Sequence, residues 1–365
     1  MKSEFYLPML KSKEGEFKAL SKLNSFTKRY ICPLFEVSPV EYDSESKKKP
    51  KKLEEHLHGF CHKKFFKMWH TENAFIDTGL LDGLLVNGKT CVEYIFDQIV
   101  PTTLIRVLPM PVAHINDSLQ SQQGLIKVIK SYSVAEIGVR LKIEDVMDIR
   151  LTDKLTKLMS DLSLEYKNCH LIFDLANSDF SEYQDFSEGI ISLLETFPHL
   201  SDWKSFTLCG GAFPRSDLLK KGKNNVIRLD WKLYHFVVNG ISQTKYARKI
   251  NYGDYSIVTP GYFEFDPKKM KRSANIRYTL GEKWLIIKGS ALSKPGDNKQ
   301  YITQAGEICG SQEYLGEAFS DGDQHIKSCH LGRVSPGNPT VWNWVGNNHH
   351  FTKVVLDLFA SPAGS

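Results

Sequence analysis

Long apolar runs are missing from this 365-residue chain. A membrane-spanning helix requires roughly 20 consecutive apolar residues, and no stretch approaches that length. The first residues are charged and strand-like, and they lack the apolar core and small-residue cleavage site of a secretory signal. The seven cysteines include no C-x-x-C pair, which is typical of reduced thiols rather than of a disulfide framework. The sequence therefore predicts a cytoplasmic protein with no membrane segment.

The signature motifs of three large enzyme classes are also missing. No G-x-G-x-x-G follows a predicted strand, so a dinucleotide-binding fold has no support. The phosphate-binding G-x-x-x-x-G-K-[ST] loop is absent, as is the G-x-S-x-G turn that presents a nucleophilic serine. The net charge of +5 is mild, and it permits an anionic partner without requiring one.

The chain does contain a repeated alternation of apolar runs and amphipathic stretches. Apolar residues recur at three- and four-residue spacing between most of the runs, as in Leu151–Leu164, which predicts crossover helices. Eight such units favour a (β/α)8 TIM-like barrel, with an open, doubly wound sheet as the alternative. The predicted strands are Phe5–Leu10, Tyr30–Val37, Ala74–Ile76, Thr103–Leu108, Ala135–Leu141, His170–Leu175, Phe206–Gly211 and Tyr255–Thr259.

Two regions interrupt this alternation. Residues 41–56 form a charge-rich insertion whose lysines could contact phosphates, although a solvated loop is the commoner outcome for such a composition. The pattern of Ser273–Gly289 predicts a β-hairpin, because IRYT and WLIIKG flank a Leu-Gly-Glu-Lys turn. We expect a single barrel domain over residues 1–365, with residues 273–340 decorating one face.

Charged residues close most of the predicted strands. The carboxyl ends of barrel strands converge on one face, called here the barrel mouth, so side chains distant in sequence meet there. Carboxylates at this face could act as general bases or bind a divalent cation, and lysine or arginine could hold an anion. The alternative is an interior salt-bridge network that only satisfies buried charge. The set is Lys11, Lys13, Glu36, Asp77, Arg106, Arg140 and Asp174, with Gly210 and Gly211 permitting close backbone approach.

The first predicted strand runs directly into a helical pattern. Gly15 allows a tight turn after Lys11 and Lys13, and Glu16 lies near the positive end of the helix dipole. We therefore place Glu16 with the two lysines among the candidate ligand-binding residues. Solvated loop lysines are the alternative.

The C-terminal stretch from Gly337 to Thr352 is dense in residues that cap, turn and hydrogen-bond. Its adjacent histidines, His349 and His350, could be acid–base groups or metal ligands. Because adjacent side chains diverge on a helix, we expect only one of them to point into the cleft. A helix cap with one histidine packed and one solvated is the alternative.

Two other groups of histidine and cysteine are weaker candidates for zinc. Neither matches a standard finger spacing, and a helix would spread the side chains around its axis. The groups are His56, His58, Cys61, His62 and His70 in one case, and Cys309, His325, Cys329 and His330 in the other.

Three stretches carry a family resemblance: the opening F-Y-L-P-M-L-K-S-K-x-G-E-F-x-A-L, the P-L-F-E-V run, and the closing G-N-P-T-V-W…G-N-N-H-H-F-T. They resemble the Beta protein family, named for a satellite-phage protein and found in phages and bacterial genomes. The resemblance runs from Phe5 to about Leu358. It implies a component of an anti-phage defence module, because the satellite-phage member is encoded in an operon associated with immunity against competing phages. It supplies no catalytic residues.

From the residues and the resemblance together, we expect a defence-associated barrel that binds an anionic ligand, phosphate-bearing or a nucleotide, at its mouth. Phosphoester hydrolysis, with a divalent metal as a possible cofactor, is the reaction to test. The expected roles are metal binding or water activation for Glu36, Asp77 and Asp174, phosphate binding for Lys13 and Arg140, and leaving-group protonation for His349 or His350.

Two other functions stay open at this point. The protein could be a non-catalytic sensor or scaffold that recognises a phage component or a partner protein from the same operon. The lysine insertion and the hairpin near Trp284 would then be contact surfaces. Direct nucleic-acid binding rests only on mild basicity and the Lys47–Lys52 run.

Overall fold

The computed structural model describes residues 3–40, 52–101, 107–261 and 272–360. The chain divides by its internal contacts into two compact units. The barrel unit comprises Met1–Ser12, Cys32–Gly210 and Leu233–Asp254. The hairpin unit comprises Lys13–Ile31, Gly211–Lys232 and Tyr255–Ser365. In the described part of the chain, no helix is long and apolar enough to cross a membrane.

The strands of the described residues are numbered along the chain. They are β1 Leu7–Leu10, β2 Leu34–Glu36, β3 Phe75–Asp77, β4 Leu85–Val86, β5 Lys89–Thr90, β6 Met110–Ala113, β7 Ile137–Lys142, β8 Cys169–Asp174, β9 Ser205–Gly210, β10 Gly222–Ile227, β11 Asn251–Asp254, β12 Ser273–Thr279 and β13 Lys283–Ala291.

A closed sheet of eight parallel strands forms the barrel unit, in the order β1-β11-β9-β8-β7-β6-β3-β2. This confirms the predicted TIM-like (β/α)8 architecture. All six residues of β8 are buried, as expected for a strand that faces the barrel core on one side and helices on the other. The register aligns Glu36 with Asp77 and Lys142 with Asp174 at the barrel mouth.

Two barrel strands differ from the prediction. The strand after β3 is Met110–Ala113, and it tolerates Pro111 in register with Ile76. The predicted Thr103–Leu108 falls largely on residues 102–106, which lie outside the described residues together with Arg106. The eighth strand is β11, so the prediction of Tyr255–Thr259 is wrong by four residues.

The composition of β11 explains the second error. Its Asn-Tyr-Gly-Asp sequence has no apolar run, and its polar side chains find partners inside the barrel unit instead. Asn251 Oδ1 accepts a hydrogen bond from Phe5 N at 3.3 Å, and Asp254 Oδ1 accepts one from the Tyr6 hydroxyl at 2.5 Å. Hydrophobic periodicity does not detect a strand of this kind.

The helices of the described residues follow the same numbering. A π-helical segment, Gly59–Phe65, joins the third and fourth. They are α1 Glu14–Ser21, α2 Ser25–Tyr30, α3 Leu53–His58, α4 Phe66–Met68, α5 Cys91–Ile99, α6 Leu119–Tyr132, α7 Ile143–Val146, α8 Leu151–Leu162, α9 Tyr183–Glu195, α10 Leu229–Ile241, α11 Gln300–Cys309, α12 Asp321–His330 and α13 Pro339–Phe359.

The hairpin unit contains the predicted hairpin, since β12 and β13 pair in antiparallel fashion. A third strand, β10, pairs with the other edge of β13. The 21-residue helix α13 begins after Asn338, whose side chain caps the first turn, and has Pro339 at its start. The placement of residues 273–340 as a decoration on the barrel face stays a prediction.

Candidate functional site

Arg140 lies at the centre of the charged residues at the barrel mouth. Its Nη1 donates to Glu36 Oε1 at 2.9 Å and to Asp77 Oδ2 at 2.7 Å. Its Nε and Nη2 both donate to Asp174 Oδ2, at 3.0 and 2.7 Å. The side chain is 6% exposed. The structure therefore brings these four predicted residues together, with the guanidinium in the position that a bound cation would take among the carboxylates.

The two aspartates of this cluster are held by their own backbone. Gly79 N donates to Asp77 Oδ1, and Ala176 N donates to Asp174 Oδ1, both at 2.8 Å. These Asx turns leave the Oδ2 atom of each carboxylate facing Arg140. Ala176 adopts a left-handed conformation with φ of 48° to make its turn. The carboxylates are thus oriented before any ligand arrives.

His114 adds a group that the sequence analysis missed. It directly follows β6, and its Nε2 donates to Asp77 Oδ1 at 2.9 Å. Its side chain is 16% exposed. The approach requires a glycine at position 79, because a Cβ there would lie 2.6 Å from the His114 Nε2. If the strand had been predicted at Met110–Ala113, His114 would have been included among the side chains that follow strands and converge on the barrel mouth.

The charges around His114 favour its protonated form. Burial alone would lower the pKa of His114, but the adjacent Asp77 carboxylate more than offsets this and raises it above its usual value. Burial would likewise raise the pKa of Asp77, whereas His114, Arg140 and the Gly79 N–H hold it well below its usual range. The ionised Asp77 carboxylate and the protonated form of the His114 imidazole therefore stabilise each other.

Asp117 is the second titratable group beside His114. Its Oδ2 accepts a hydrogen bond from the His114 backbone N–H at 3.1 Å. Burial raises the pKa of Asp117 to about 6, against the opposing effect of His114. A carboxylate with a pKa near neutrality can take up and release a proton under physiological conditions. His114 and Asp117 thus form an acid–base pair at the mouth.

Two lysines occupy strand ends at the same mouth. Lys11 follows β1 directly and is half-buried. Lys142 ends β7 and is exposed. Because it lies two residues beyond Arg140, its side chain leaves the strand on the same face. The sequence analysis named Lys11 but not Lys142, because the predicted strand ended one residue earlier, at Leu141.

The other candidates of the opening stretch belong to the hairpin unit. Lys13 is exposed at the start of α1. Glu16 is buried, and its Oε2 accepts a hydrogen bond from Lys13 N at 2.9 Å, so it caps the helix.

The two predicted glycines fall in different units. Gly210 belongs to the barrel unit and ends β9 opposite Asp254, whereas Gly211 belongs to the hairpin unit. Gly211 packs tightly, because a Cβ there would lie 2.4 Å from Pro260 Cγ.

Both histidines of the C-terminal stretch are fully buried within the hairpin unit. His349 Nδ1 lies 2.8 Å from Asp323 Oδ2, and its Nε2 donates to the Thr279 carbonyl at 2.7 Å. Its ring stacks on Tyr278, with the centroids 3.8 Å apart. His350 Nδ1 lies 2.8 Å from Thr279 Oγ1. The alternative of one packed and one solvated histidine is wrong, and neither histidine has exposed surface with which to point into a cleft, because this part of α13 is buried on all sides.

The side chains of the two asparagines before these histidines are also hydrogen-bonded within the hairpin unit. Asn347 Oδ1 accepts a hydrogen bond from Ser256 Oγ at 2.5 Å. Asn348 Oδ1 accepts one from Gly322 N at 2.8 Å, and its Nδ2 donates to the Ala19 carbonyl at 3.0 Å. The Asn-Asn-His-His sequence therefore ties α13 to several separate segments of its unit, which is a structural role.

Comparison with known families covers nearly the whole chain. The model of the Beta protein family matches residues 6–356, from β1 to within α13. The chain belongs to the Beta protein family. No curated protein matches it. The matched range includes the barrel-mouth residues and the buried histidines alike.

The barrel unit also contains a serine–histidine–glutamate arrangement at the amino ends of its strands. Ser205 Oγ lies 2.7 Å from His170 Nδ1, and Glu136 Oε2 lies 3.0 Å from His170 Nε2. The order resembles a nucleophile, a base and an orienting acid. However, Ser205 and His170 are buried, and the rings of Phe5 and Phe75 pack against the histidine. Residues at the amino ends of barrel strands usually stabilise the fold rather than take part in catalysis.

Some members of the histidine and cysteine groups considered for zinc lie close together, since the rings of His58 and His62 are 4.3 Å apart. Across the described ranges, no group of three or more His, Cys, Asp or Glu side chains could hold a metal ion. His56 Nε2 lies 2.8 Å from the Ser38 carbonyl, and His62 Nε2 lies 3.1 Å from Gln98 Oε1. These side chains serve local packing around the π-helical segment.

Proposed function

We propose that this protein is a component of an anti-phage defence system whose barrel mouth binds an anionic, phosphate-bearing ligand, with His114 as the proton donor. The observation that carries the proposal is the partly exposed imidazole of His114, oriented by the buried Asp77 at 2.9 Å. The defence setting follows the satellite-phage member of the family. Hydrolysis of a phosphoester is the reaction that suits these groups best.

The ligand phosphate would bind at the rim of the mouth rather than at Arg140. Three carboxylates surround the Arg140 guanidinium, so an anion placed beside it would meet an excess of negative charge. His114, Lys11 and Lys142 are the cationic groups at the strand ends. This differs from the sequence-based expectation, in which Arg140 and Lys13 held the phosphate.

The reaction can be written with the groups of the mouth alone. A water oxygen attacks phosphorus, Asp117 accepts the proton of that water, and the bond from phosphorus to the leaving oxygen breaks. His114 Nδ1 gives its proton to the leaving oxygen, and Asp77 remains ionised and holds the imidazole in place through Nε2. Arg140 keeps Asp77 ionised through the hydrogen bond of its Nη1.

A non-catalytic sensor or scaffold is the second candidate function. It is favoured by one observation, the completeness of the ion cluster: every carboxylate around Arg140 is hydrogen-bonded to it, and the arginine is almost fully buried. In that case the cluster stabilises the barrel, and the surface recognises a phage component or partner protein.

The test compares His114→Gln with His58→Gln, a change at an exposed histidine of the same unit. Hydrolysis of bis-p-nitrophenyl phosphate and of nucleotides is measured with the full chain, and plaque counts are measured in cells at equal protein abundance. We expect His114→Gln to lose about 100-fold or more of hydrolysis, together with protection, and His58→Gln to retain both. Protection by the His114 variant at the wild-type level would overturn the proposal and favour the scaffold.

A further inference from the structure

The strand β10 forms one edge of the three-stranded sheet in the hairpin unit. It pairs with β13 in continuous antiparallel register, from Gly222 opposite Lys288 to Ile227 opposite Lys283. Among the described residues, no strand pairs with its other side. The strand β10 therefore has a hydrogen-bonding edge, called here the free edge, at which a further strand could be added.

The register shows which backbone groups face the free edge. Arg228 N donates to the Glu282 carbonyl at 2.8 Å, one step beyond the last pair of the ladder between β10 and β13. Hydrogen-bonded and non-hydrogen-bonded pairs alternate along an antiparallel ladder. Counting back from Arg228, the residues of the non-hydrogen-bonded pairs are Lys223, Asn225 and Ile227. Their backbone N–H and C=O groups therefore point away from β13, toward the free edge.

Large apolar side chains are exposed on both faces of the sheet beside β10. On one face, Ile227 is 53% exposed. The neighbouring Val226 points to the opposite face, where it packs against a hydrophobic cluster that contains Leu219. Leu218, directly before this buried leucine, is 72% exposed. A strand added at the free edge would remove apolar surface from water as well as pair its backbone.

The charge beside the free edge is positive. Lys220, Lys221 and Lys223 are exposed, and no ion pair joins them to another of the described residues. Asp217, which precedes β10, and Glu282, which faces its end, already have cationic partners. Carboxylates on an added strand would therefore find lysines that no other acidic side chain of the described chain neutralises.

Lysines on an edge strand also have a simpler role, since they commonly prevent self-association. That role makes a second copy of this chain a poor occupant, because it would bring as many lysines again to the same edge. It does not account for the exposed Ile227, because protection of an edge places polar rather than large apolar side chains along it.

We propose that β10 is the docking site for an extended, acidic segment of a partner protein, which adds to the sheet as a further strand. The backbone of the segment pairs with the free N–H and C=O groups of Lys223, Asn225 and Ile227. Its carboxylates meet the lysines, and an apolar side chain covers Ile227. The proposal does not depend on hydrolysis at the barrel mouth, since β10 belongs to the other unit.

The experiment measures the fluorescence anisotropy of a labelled peptide of alternating glutamate and valine with the full chain. A peptide of alternating lysine and valine should bind at least about tenfold more weakly, because its charge is of the wrong sign. Two further peptides carry N-methyl groups on the backbone nitrogens of either the glutamates or the valines. Only one of them should lose binding, because alternate residues of an added strand face β10.

Three variants test whether the peptide binds at β10. Asn225→Pro removes an N–H that faces the free edge, where a strand tolerates proline, and should weaken the acidic peptide at least about tenfold. Lys223→Glu should weaken it by a similar factor. Lys299→Glu, at an exposed lysine of the same unit, is the control and should change binding by less than about twofold. Urea denaturation checks that each variant is folded, and Lys223→Glu decides if the proline variant is not.

The proposal is overturned if the acidic peptide shows no saturable binding up to about 1 mM, or if the two methylated peptides bind equally. Wild-type binding by folded Asn225→Pro, or an equal loss for Lys299→Glu and Lys223→Glu, would also overturn it. A dimer of the wild-type chain that Asn225→Pro converts to a monomer would instead assign the free edge to a second copy.

Discussion

The polar groups around Arg140 and those around His349 are built in a similar way, but they differ in access to solvent. In each, a buried cationic or basic side chain meets a carboxylate: Arg140 meets Asp174 at 2.7 Å, and His349 meets Asp323 at 2.8 Å. The Arg140 cluster continues to a partly exposed His114, whereas His349 and His350 have no exposed surface. Residue types that can perform chemistry therefore mark a functional site only where a ligand can reach them.

The largest effect should come from Arg140→Leu. The change leaves three buried carboxylates without their cation, and breaking a buried ion pair costs about 3–5 kcal/mol. Urea denaturation measures the loss in the free energy of unfolding. Arg150→Leu, at an exposed arginine, is the control and should change it by less than about 0.5 kcal/mol. Equal stability of the two variants would mean that the cluster has no structural role.

A somewhat smaller loss is expected for His349→Leu. The change leaves the Thr279 carbonyl and Asp323 short of a donor, at a cost of about 2–3 kcal/mol. His330→Leu, at the exposed end of α12, serves as the matched control. Folded His349→Leu should keep wild-type hydrolysis at the barrel mouth. Loss of hydrolysis without loss of stability would instead return His349 to the list of catalytic candidates.

His114→Gln should lose mainly hydrolysis and little stability, in contrast to the two variants above. Because His114 is partly exposed and Asp77 keeps its bonds to Arg140 and Gly79, the free energy of unfolding should fall by only about 1 kcal/mol. Urea denaturation beside the activity assay makes the comparison. A fall as large as that of Arg140→Leu would show that His114 is a structural member of the cluster.

The smallest effect is the pH dependence of stability contributed by His114. Its pKa is raised in the folded chain, so its contribution is fully present below the unfolded value of about 6.5 and is lost as the pH rises through the folded pKa. Unfolding free energies at a series of pH values above 6.5 should fall more for wild type than for His114→Gln. Parallel curves for the two proteins would show that the pKa of His114 is not raised.

Much of the barrel could be predicted from the sequence because it depends on local patterns. Apolar runs and amphipathic spacing located six of the eight strands. The expectation that side chains at the carboxyl ends of barrel strands converge correctly grouped Glu36, Asp77, Arg140 and Asp174. Hydrophobic periodicity did not detect β11, whose polar side chains are satisfied by distant partners. His114 was missed because the strand before it was predicted at the wrong position.

The sequence by itself determined most of the alternation of strands and helices, the hairpin, and four of the charged residues at the barrel mouth: Glu36, Asp77, Arg140 and Asp174. Only the tertiary structure decided which charges neutralise one another and which remain accessible. The physical reason is that pairing and burial depend on contacts between distant segments: Arg140 and Glu36 are 104 residues apart, and His349 and Thr279 are 70 apart. Local patterns specify the conformation of each segment, whereas the free energy of each buried polar group is set by the partner that the fold brings to it.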